Sequence, residues 1–398
     1  MPTLLQINVT ANWGSTGKIA EDIGKLAIEA GWESWIAYGR GEPVSKSNLI
    51  RIGNDWDMKL HAIQSRLLDN HGLASEKVTK DFISQIKKIK PDLIHLHNIH
   101  GYYLNYPLLF DFLKEYGAPI VWTLHDCWPF TGHCAYYDFA KCDRWQTECH
   151  DCPQLRSYPA SLWHDRSKNN FRQKKKSFLG IENLTFVPVS DWLRKELSKS
   201  FLSHYPAVTI HNGIDLTVFT PSDTLVKDRS EKVILGVASV WDRRKGLDEF
   251  VKLRKLLPNN YTIILVGLSQ NQIATLPQGI TGIRRTENVR QLTDLYSMAD
   301  VFVNPTLEDN FPTTNLEALA CGTPVITYDT GGSPEAIDEQ TGIIVPYQNV
   351  DVLADKIRHI CESASYNGFQ CRQRAQMHYD KQIVFKEYIT LYNNLVKK

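Results

Sequence analysis

The feature that most constrains the fold of this chain is a regular alternation of short apolar runs with longer amphipathic stretches. Apolar, β-branched runs occupy residues 4–9, 92–97, 119–124 and 184–189, and helical patterns fill much of the space between them. Strands that are buried on both faces appear as such continuous apolar runs, and strands that alternate with helices form parallel sheets. The first half of the chain is therefore predicted to be a doubly wound α/β domain.

The alternation pauses over residues 206–229 and then restarts. The pause contains turn residues such as Asn212-Gly213, and new apolar runs follow at residues 232–238 and 261–266. The length of 398 residues is also that of about two domains. We predict two doubly wound α/β domains.

We place the domain boundary near residue 205, with residues 1–205 in the N-terminal domain and residues 206–380 in the C-terminal domain. Residues 381–398 form a predicted amphipathic helix that contains several aromatic side chains. This helix either crosses back to the N-terminal domain or packs on its own domain.

Charge and hydropathy exclude several classes of protein. The 45 basic and 44 acidic side chains give a net charge of +1, whereas a protein that coats nucleic acid needs a strong basic excess. No apolar run approaches the roughly 18 residues of a membrane span, and the N-terminal residues do not resemble a signal peptide. We therefore expect a cytoplasmic protein with no nucleic-acid partner, whose eight cysteines are reduced.

A glycine-containing turn follows the first apolar run. Residues 12–18 read NWGSTGK and lead into a helical pattern at residues 18–30. Glycines between a strand and a helix N-terminus, here Gly14 and Gly17, let the backbone approach a phosphate group. The spacing matches neither a P-loop nor a dinucleotide fingerprint, so an ordinary tight turn explains these residues equally well.

The most informative stretch covers residues 305–326, which read PTLEDNFPTTNLEALACGTPVI. The pattern predicts a strand end, a polar turn, a short helix and a further strand. Acidic side chains at the carboxyl edge of a parallel sheet lie in the crevice where such sheets bind ligands. A carboxylate in that crevice can accept two hydrogen bonds from a vicinal diol such as a ribose.

This stretch resembles the E-x7-E region of glycosyltransferase family 4, the retaining sugar-nucleotide transferases with the GT-B fold. Further short motifs follow the order of that family along nearly the whole chain, at residues 14–17, 123–126, 189–190, 211–215, 243–246 and 331–335. The resemblance implies two Rossmann-like domains that face a central cleft. It also implies that the C-terminal domain binds a UDP- or GDP-linked sugar and that the N-terminal domain binds the acceptor.

The resemblance further implies a hexosyltransferase-type activity in polysaccharide biosynthesis, with a glycan or a lipid-linked glycan as the acceptor. Glu317 corresponds to the residue that holds the ribose of the donor. Asp309 stands eight positions earlier, where the family has a glutamate near the transferred sugar, and Glu308 lies beside it. The expected mechanism is front-face attack, in which the leaving phosphate helps to deprotonate the acceptor.

Two departures from the family pattern surround Phe311. Asn310 and Pro312 stand where the family usually has glycines. Because proline has no backbone N–H, we expect Thr313 and Thr314, at the start of the predicted helix, to contact phosphate or sugar. Asn310 and Phe311 are also assigned to donor binding.

A cationic turn provides a second part of the expected donor site. It contains Arg243, Arg244 and Lys245, and Val240 stands where the family commonly has an arginine. We expect Arg243 or Arg244 to supply the missing charge, because cleavage of a sugar–pyrophosphate bond builds negative charge on the leaving group. No catalytic metal is expected. A solvated basic turn is the alternative.

His125 is the second candidate catalytic residue beside Asp309. It follows the apolar run at residues 119–124 and precedes Asp126. In the family, a histidine at this point approaches the donor sugar, so we assign His125 to positioning and polarisation. A structural hydrogen bond is the alternative role.

The Cys-rich loop, residues 127–156, breaks the alternation of strands and helices. It contains Cys134, Cys142, Cys149 and Cys152, and four thiols in one irregular loop suit a tetrahedral structural zinc ion. Free thiols and a redox pair are the alternatives. Because the loop leaves the sheet at the edge of the expected cleft, it is also a candidate wall of the acceptor site.

Residues 166–176 carry a run of basic side chains, namely Arg166, Lys168, Arg172, Lys174, Lys175 and Lys176. We hold two interpretations open for this run. It is either a solvated helix face or a peripheral contact with the inner face of the membrane or with a lipid pyrophosphate.

Two other functions remain open from the sequence. A sugar-nucleotide 2-epimerase has the same two-domain architecture, although it is not expected to carry the Asp309 to Glu317 region together with the cationic turn. A non-catalytic sugar-nucleotide-binding protein would fit the departures at Asp309 and Pro312.

Overall fold

The alternation of strand and helix produces two parallel sheets of six strands each. The computed structural model describes residues 1–222, 231–363 and 366–397. It divides into unit 1, Met1–His211 together with the segment that begins at Phe385, and unit 2, Asn212–Val384. Residues 223–229 of the predicted pause, and residue 398 of the predicted terminal helix, lie outside the described residues.

Unit 1 has the strand order β3-β2-β1-β4-β5-β6. The strands are β1 (Thr3–Asn8), β2 (Glu33–Tyr38), β3 (Asn48–Arg51), β4 (Leu93–Leu96), β5 (Ile120–Leu124) and β6 (Leu184–Pro188). The helices are α1 (Gly14–Glu29), α2 (Asp55–Leu68), α3 (Glu76–Ile89), α4 (Tyr106–Tyr116), α5 (Ser167–Phe178) and α6 (Asp191–Ser198). This is the Rossmann strand order, in which the direction of winding reverses between β1 and β4.

Unit 2 repeats the same topology with the strand order β12-β11-β10-β7-β8-β9. Its strands are β7 (Lys232–Val237), β8 (Tyr261–Val266), β9 (Ile280–Ile283), β10 (Val301–Asn304), β11 (Val325–Tyr328) and β12 (Gly342–Val345). Its helices are α7 (Leu247–Leu256), α8 (Gln270–Ala274), α9 (Val289–Met298), α10 (Thr313–Ala320), α11 (Val350–Glu362), α12 (Gly368–His378) and α13 (Lys381–Val384). The reversal lies between β7 and β10, and the predicted α/β class with two doubly wound sheets is confirmed.

The last helix, α14 (Lys386–Val396), belongs to unit 1 and packs on α1. Its aromatic side chains are tied to the sheet by hydrogen bonds. The Tyr392 hydroxyl lies 2.6 Å from Nδ1 of His95, and the Tyr388 hydroxyl lies 3.0 Å from Oγ1 of Thr123. The aromatic residues that the sequence places in this helix are therefore core residues of unit 1.

The central strands of each sheet are fully buried. Every residue of β1, β4 and β5 is buried, and so is every residue of β10 and β11. In unit 1 an aromatic cluster covers β5, where the ring centroids of Trp122 and Phe110 are 5.3 Å apart and those of Trp122 and Phe178 are 5.0 Å apart. Within the described residues, no helix is long and apolar enough to span a membrane.

Unit 1 also buries several histidines. Burial lowers the pKa of His61 to about 4, and it lowers the pKa values of His71, His95 and His97 well below the ordinary value. These side chains are therefore neutral in the folded chain at neutral pH, and unfolding below pH 6.5 or so lets them take up protons.

This burial predicts a loss of stability in mild acid. Because the unfolded chain binds more protons than the folded chain between about pH 6.5 and pH 4, the free energy of unfolding falls as the pH falls through that window. His61 alone accounts for at most about 2 kcal/mol between pH 6.5 and pH 5. Thermal melts from pH 7 to pH 5 check this. His61→Gln should flatten the pH dependence, whereas the exposed His204→Gln should leave it unchanged; an equal slope in both variants would contradict the assignment.

Candidate functional site

The loops that follow β7 and β10 meet at the point where the winding of unit 2 reverses. β7 and β10 are parallel neighbours, so both loops leave the same edge of the sheet, where open α/β sheets bind ligands. Lys245 lies on the first loop and Asp309 on the second. Their side chains form an ion pair, with Nζ of Lys245 bonded to Oδ2 of Asp309.

Backbone contacts hold the two loops together. Residues Arg243–Lys245 form one turn of 3₁₀ helix, and this turn ends at Gly246 with a φ of +76°. A Cβ atom on Gly246 would lie 2.2 Å from the carbonyl oxygen of Pro305, so only glycine permits this approach. The backbone N–H of Leu307 also donates to the carbonyl of Arg244 over 2.7 Å.

The two arginines of the turn differ in position. Nη1 of Arg244 donates to the backbone carbonyl of Glu308 over 2.9 Å, and its Nε lies 3.7 Å from Asp242. The side chain of Arg243 is exposed. Arg244 is therefore built into the contact between the loops, and Arg243 lies at its solvent side.

Asp309 is ionised although it is buried. Burial alone would raise the pKa of its carboxyl group, but the charges of Lys245 and Arg244, with hydrogen bonds from Lys245 and from the N–H of Asn310, outweigh burial and lower the pKa. The charge of Lys245 is thus matched by a carboxylate. An anionic ligand that binds Lys245 has to compete with Asp309 for the ammonium group.

The loop then leads into the N-terminus of α10. Asn310 and Phe311 are buried, and Nδ2 of Asn212 donates to the carbonyl of Phe311 over 3.0 Å. Thr313 and Thr314 are partly exposed in the first turn of the helix. First-turn N–H groups have no partner inside their helix and favour an anion.

Glu317 lies one turn after Thr313 on α10, and residues four apart in a helix share a face. The side chain of Glu317 is partly exposed, and Oε2 accepts a hydrogen bond of 2.8 Å from the hydroxyl of Tyr296 on α9. α10 therefore begins four residues after Asp309, and Glu317 presents a carboxylate oriented by Tyr296 one turn further along the helix.

Gly331 is a part of this site to which the sequence analysis gave no role. It has a φ of +54°, and a Cβ atom there would lie 1.8 Å from the carbonyl oxygen of Asp309. The N–H of Gly332 donates to the same oxygen over 3.3 Å. The Gly331-Gly332 pair after β11 was the available signal, because paired glycines after a strand often mark a close approach of two backbones.

The glycine turn of unit 1 differs from its prediction. The helix was expected to begin at residue 18, but α1 begins at Gly14, so both glycines lie in its first turn. A Cβ atom on Gly17 would lie 2.6 Å from Oγ1 of Thr10, whereas one on Gly14 would have nothing within 4 Å. Gly17 is therefore required for packing against the loop after β1, and Gly14 supplies the positive φ at which the helix starts.

His125 follows β5 and is partly exposed. Its Nε2 lies 3.3 Å from Nδ1 of His97, and Nε2 of His97 lies 3.1 Å from Oε1 of Gln6. Burial lowers the pKa of His125 to about 4 although the charge of Asp126 opposes this shift. His125 is thus a neutral imidazole at pH 7, able to donate or accept a hydrogen bond but not to act as a standing cation.

The carboxylate of Asp126 binds groups other than His125. Its Oδ2 lies 2.9 Å from Nε2 of His100, and its Oδ1 accepts from the N–H of Trp128. No sequence motif pointed to His97, which lies beside His125. Its signal was the run of histidines His95, His97 and His100 at the end of β4.

The four cysteines assigned to a zinc site come together. Cys134, Cys142, Cys149 and Cys152 line one small cavity of unit 1, and all four are free thiols.

The basic run on α5 is not the continuous exposed face that the sequence suggested. Lys174 is buried, and its Nζ donates to the carbonyls of Trp128 and Thr131 over 2.6 and 3.0 Å. Lys168 and Arg172 both pair with Glu148 from the Cys-rich loop, at 3.4 and 2.6 Å. The interpretation of Lys174 as a surface cation was wrong, because the loop covers that side of α5.

Comparisons with known proteins extend over most of the chain. The family model described as Glycosyltransferase Family 4 matches residues 27–218. The model described as Glycosyl transferases group 1 matches residues 231–363.

Among curated proteins, the chain is 25% identical to the putative colanic acid biosynthesis glycosyl transferase WcaC of Escherichia coli K12, over 98% of this chain and 100% of that protein. It is also 27% identical to the N,N'-diacetylbacillosaminyl-diphospho-undecaprenol alpha-1,3-N-acetylgalactosaminyltransferase of Campylobacter jejuni, over 43% of this chain and 46% of that protein.

Among solved structures, the chain resembles a sucrose-phosphate synthase from Thermosynechococcus elongatus, with a TM-score of 0.73, 20% identity and full coverage of both chains. It also resembles HepE from Anabaena in complex with UDP-glucose, with a TM-score of 0.64 and 14% identity over 98% of this chain and 99% of that one. At these identities the likeness concerns the fold, which is that of the GT-B glycosyltransferases.

The contact between Gly331 and Asp309 predicts that adding a single methyl group at residue 331 lowers the stability of the protein. Gly331→Ala places a side chain at positive φ, which costs about 1–2 kcal/mol, and also forces the Asp309 carbonyl to move. We expect a total loss of about 3 kcal/mol or more in the free energy of unfolding, measured by chemical denaturation. Gly180→Ala is the matched control, because Gly180 has a φ of +81° with nothing within 4 Å of its Cβ position. Equal losses in the two variants would show that the loop contact is unimportant.

Proposed function

Because the chain belongs to the glycosyltransferases of family 4, we propose that it moves a sugar from a nucleotide-diphosphate donor, with retention at the anomeric carbon, to a glycan or lipid-linked acceptor in polysaccharide biosynthesis. The names of the relatives from Escherichia coli and Campylobacter jejuni support this acceptor class. The UDP-glucose complex of HepE supports a nucleotide-sugar donor.

The single observation that carries the proposal is the position of Lys245, Asp309 and the start of α10 at one edge of the unit 2 sheet. A sugar–diphosphate bond breaks more easily when cations and helix N–H groups stabilise the negative charge on the leaving phosphate. Lys245, Arg244 and the first turn of α10 supply these groups within one site. Asp309 keeps Lys245 in place before the donor binds.

Two carboxylates have different tasks in this proposal. Glu317, oriented by Tyr296, accepts hydrogen bonds from the ribose diol of the donor. When the diphosphate takes Lys245, the charge of Arg244 and the N–H of Asn310 still stabilise Asp309, and its carboxylate then faces the transferred sugar.

Unit 1 contributes the acceptor side and His125. A neutral imidazole at the end of β5 positions and polarises the donor sugar without adding charge. The acceptor hydroxyl attacks from the face that the phosphate leaves, and the departing phosphate accepts its proton. A lipid-linked acceptor would place the enzyme in the cytoplasm, at the inner face of a membrane. Contact with that membrane would be made by exposed cations of α5 such as Lys175 and Lys176, and not by the buried Lys174.

A panel of sugar nucleotides tests the function directly. Thermal-shift measurements on the wild-type chain should show stabilisation by one nucleotide series, and incubation of that donor with lipid-linked glycans should give a product lengthened by one sugar in the mass spectrum. A change of the sugar in the absence of an acceptor would favour a 2-epimerase. Binding without turnover on every acceptor would favour a non-catalytic protein.

Glu317→Gln tests the donor site. Loss of the charged acceptor for the ribose diol should weaken donor binding about tenfold, which is about 1.4 kcal/mol, measured by calorimetric titration. Tyr296→Phe, which removes only the orienting hydroxyl, should cause a smaller loss. Glu287→Gln, at an exposed position of the same unit, is the control. Wild-type affinity in Glu317→Gln would refute this assignment.

His125→Ala tests the role of the imidazole. We expect kcat to fall about 100-fold, while the KM for the donor changes by less than about threefold. Because the pKa of His125 is near 4, its protonation should not reduce wild-type kcat between pH 8 and pH 5.5. His204→Ala is the control for histidine loss in unit 1. A wild-type kcat in His125→Ala, or an effect confined to donor affinity, would exclude the assigned role.

A further inference from the structure

The cavity of the Cys-rich loop gathers four thiols that are scattered in the sequence. Cys134, Cys142, Cys149 and Cys152 all line it, and its volume is about 10 Å³, close to the 10–15 Å³ or so that holds one water-sized sphere. The thiols of Cys134 and Cys152 interact electrostatically with each other. Sγ of Cys149 accepts a bond of 3.1 Å from the backbone N–H of Gly132. The cavity is therefore of a size for a single ion with sulfur ligands around it.

A buried histidine also lines this cavity. His133 lines it, and the side chain of His133 is fully buried. Nδ1 of His133 lies 2.6 Å from Oδ1 of Asp69, but Nε2 has no hydrogen-bond partner among the described residues. Buried polar atoms without a partner are rare and costly. The orphaned nitrogen indicates that a further polar group belongs beside His133.

A buried cation lies on the other side of the thiols. Lys174 is 1% exposed, and its Nζ is bonded to the carbonyls of Trp128 and Thr131. It interacts electrostatically with Cys149 and Cys134. A buried charge is costly unless an opposite charge compensates it. The carboxylates of Asp126 and Asp69 compensate part of the charge of Lys174, and neutral thiols add no compensation.

We propose that this cavity binds one zinc ion through the thiolates of Cys134, Cys142, Cys149 and Cys152. Thiolates are preferred ligands of closed structural zinc sites. Zn²⁺ with four thiolates has a net charge of −2, which Lys174 compensates in part. A metal-bound sulfur also gives Nε2 of His133 a partner, while Asp69 orients the ring from its other side.

Zinc binding requires the loop to contract. Within the described ranges, no three of these sulfur atoms lie within 4.8 Å of one another, whereas zinc–sulfur bonds of about 2.3 Å place tetrahedral sulfurs about 3.8 Å apart. Gly132 permits a close packing, because a Cβ atom there would lie 2.1 Å from the carbonyl oxygen of Ser167. Removal of the metal should therefore loosen the loop and leave the central strands of the sheet in place.

Metal analysis of the full chain tests the proposal without a need for activity. Protein purified without added zinc or chelator should contain about one zinc per chain, and X-ray absorption at the zinc edge should show four sulfur neighbours at about 2.3 Å. Cys149→Ser and Cys152→Ser should each lose most of the zinc. Cys361→Ser in unit 2 is the matched control and should keep it. Hydrogen exchange should rise in residues 127–156 after chelation.

Four results would overturn the proposal. Wild-type protein that is folded by circular dichroism but contains almost no zinc would do so, as would iron in place of zinc. A zinc shell of three sulfurs and one nitrogen would refute the four-thiolate set. A disulfide among the four cysteines, found by alkylation and mass spectrometry of unreduced protein, would instead establish a redox pair. These measurements use the wild-type chain, so they remain decisive even where a cysteine variant fails to fold.

Discussion

The ion pair between Lys245 and Asp309 is the interaction on which the site of unit 2 depends. It lies between the loops after β7 and β10, whose backbones approach closely because Gly246 has no side chain, and Gly331 in the loop after β11 packs against the carbonyl of Asp309. Without Lys245, the buried carboxylate of Asp309 would be left uncompensated, and such a charge costs several kcal/mol. The pair therefore fixes the loops before any ligand is bound. In the function proposed above, an incoming diphosphate competes with Asp309 for the same ammonium group, so the site does not have to assemble its positive charge during the reaction.

The two units differ in the charge of the side chains at their candidate sites. Unit 2 concentrates formal charges at the edge of its sheet, through Lys245, Arg244 and Asp309. Unit 1 keeps His61, His71, His95, His97 and His125 neutral by burial, and His125 contacts the ring of His97. A charged leaving group and a neutral sugar hydroxyl make different demands. The cations of unit 2 suit the first, and the neutral donors of unit 1 suit the second without adding a repulsive charge.

The sequence predicted the fold well because periodicity reports burial, and buried strands alternating with helices leave few topologies. It also identified Lys245 and Asp309 individually, but their pairing depends on which strands are neighbours in the sheet, and no local pattern carries that information. The start of α1 was predicted four residues late, because glycines were taken to belong to a turn before the helix. Lys174 was misplaced for a similar reason: a run of basic residues indicates a solvated face only if nothing else in the chain covers it.

The element that covers Lys174 explains why the Cys-rich loop needs more than hydrophobic packing. Phe130, Tyr137 and Trp145 from this loop are buried with the core of unit 1, yet the loop contains only two short 3₁₀ turns, Trp128–Phe130 and Arg144–Gln146. Most of its backbone is therefore not held by a helix or a sheet, and ordering each such residue costs about 1–2 kcal/mol of conformational entropy. Aromatic burial offsets part of this cost. A metal ion bound to the folded loop, as proposed above, would offset more, because its binding free energy adds to the free energy of unfolding.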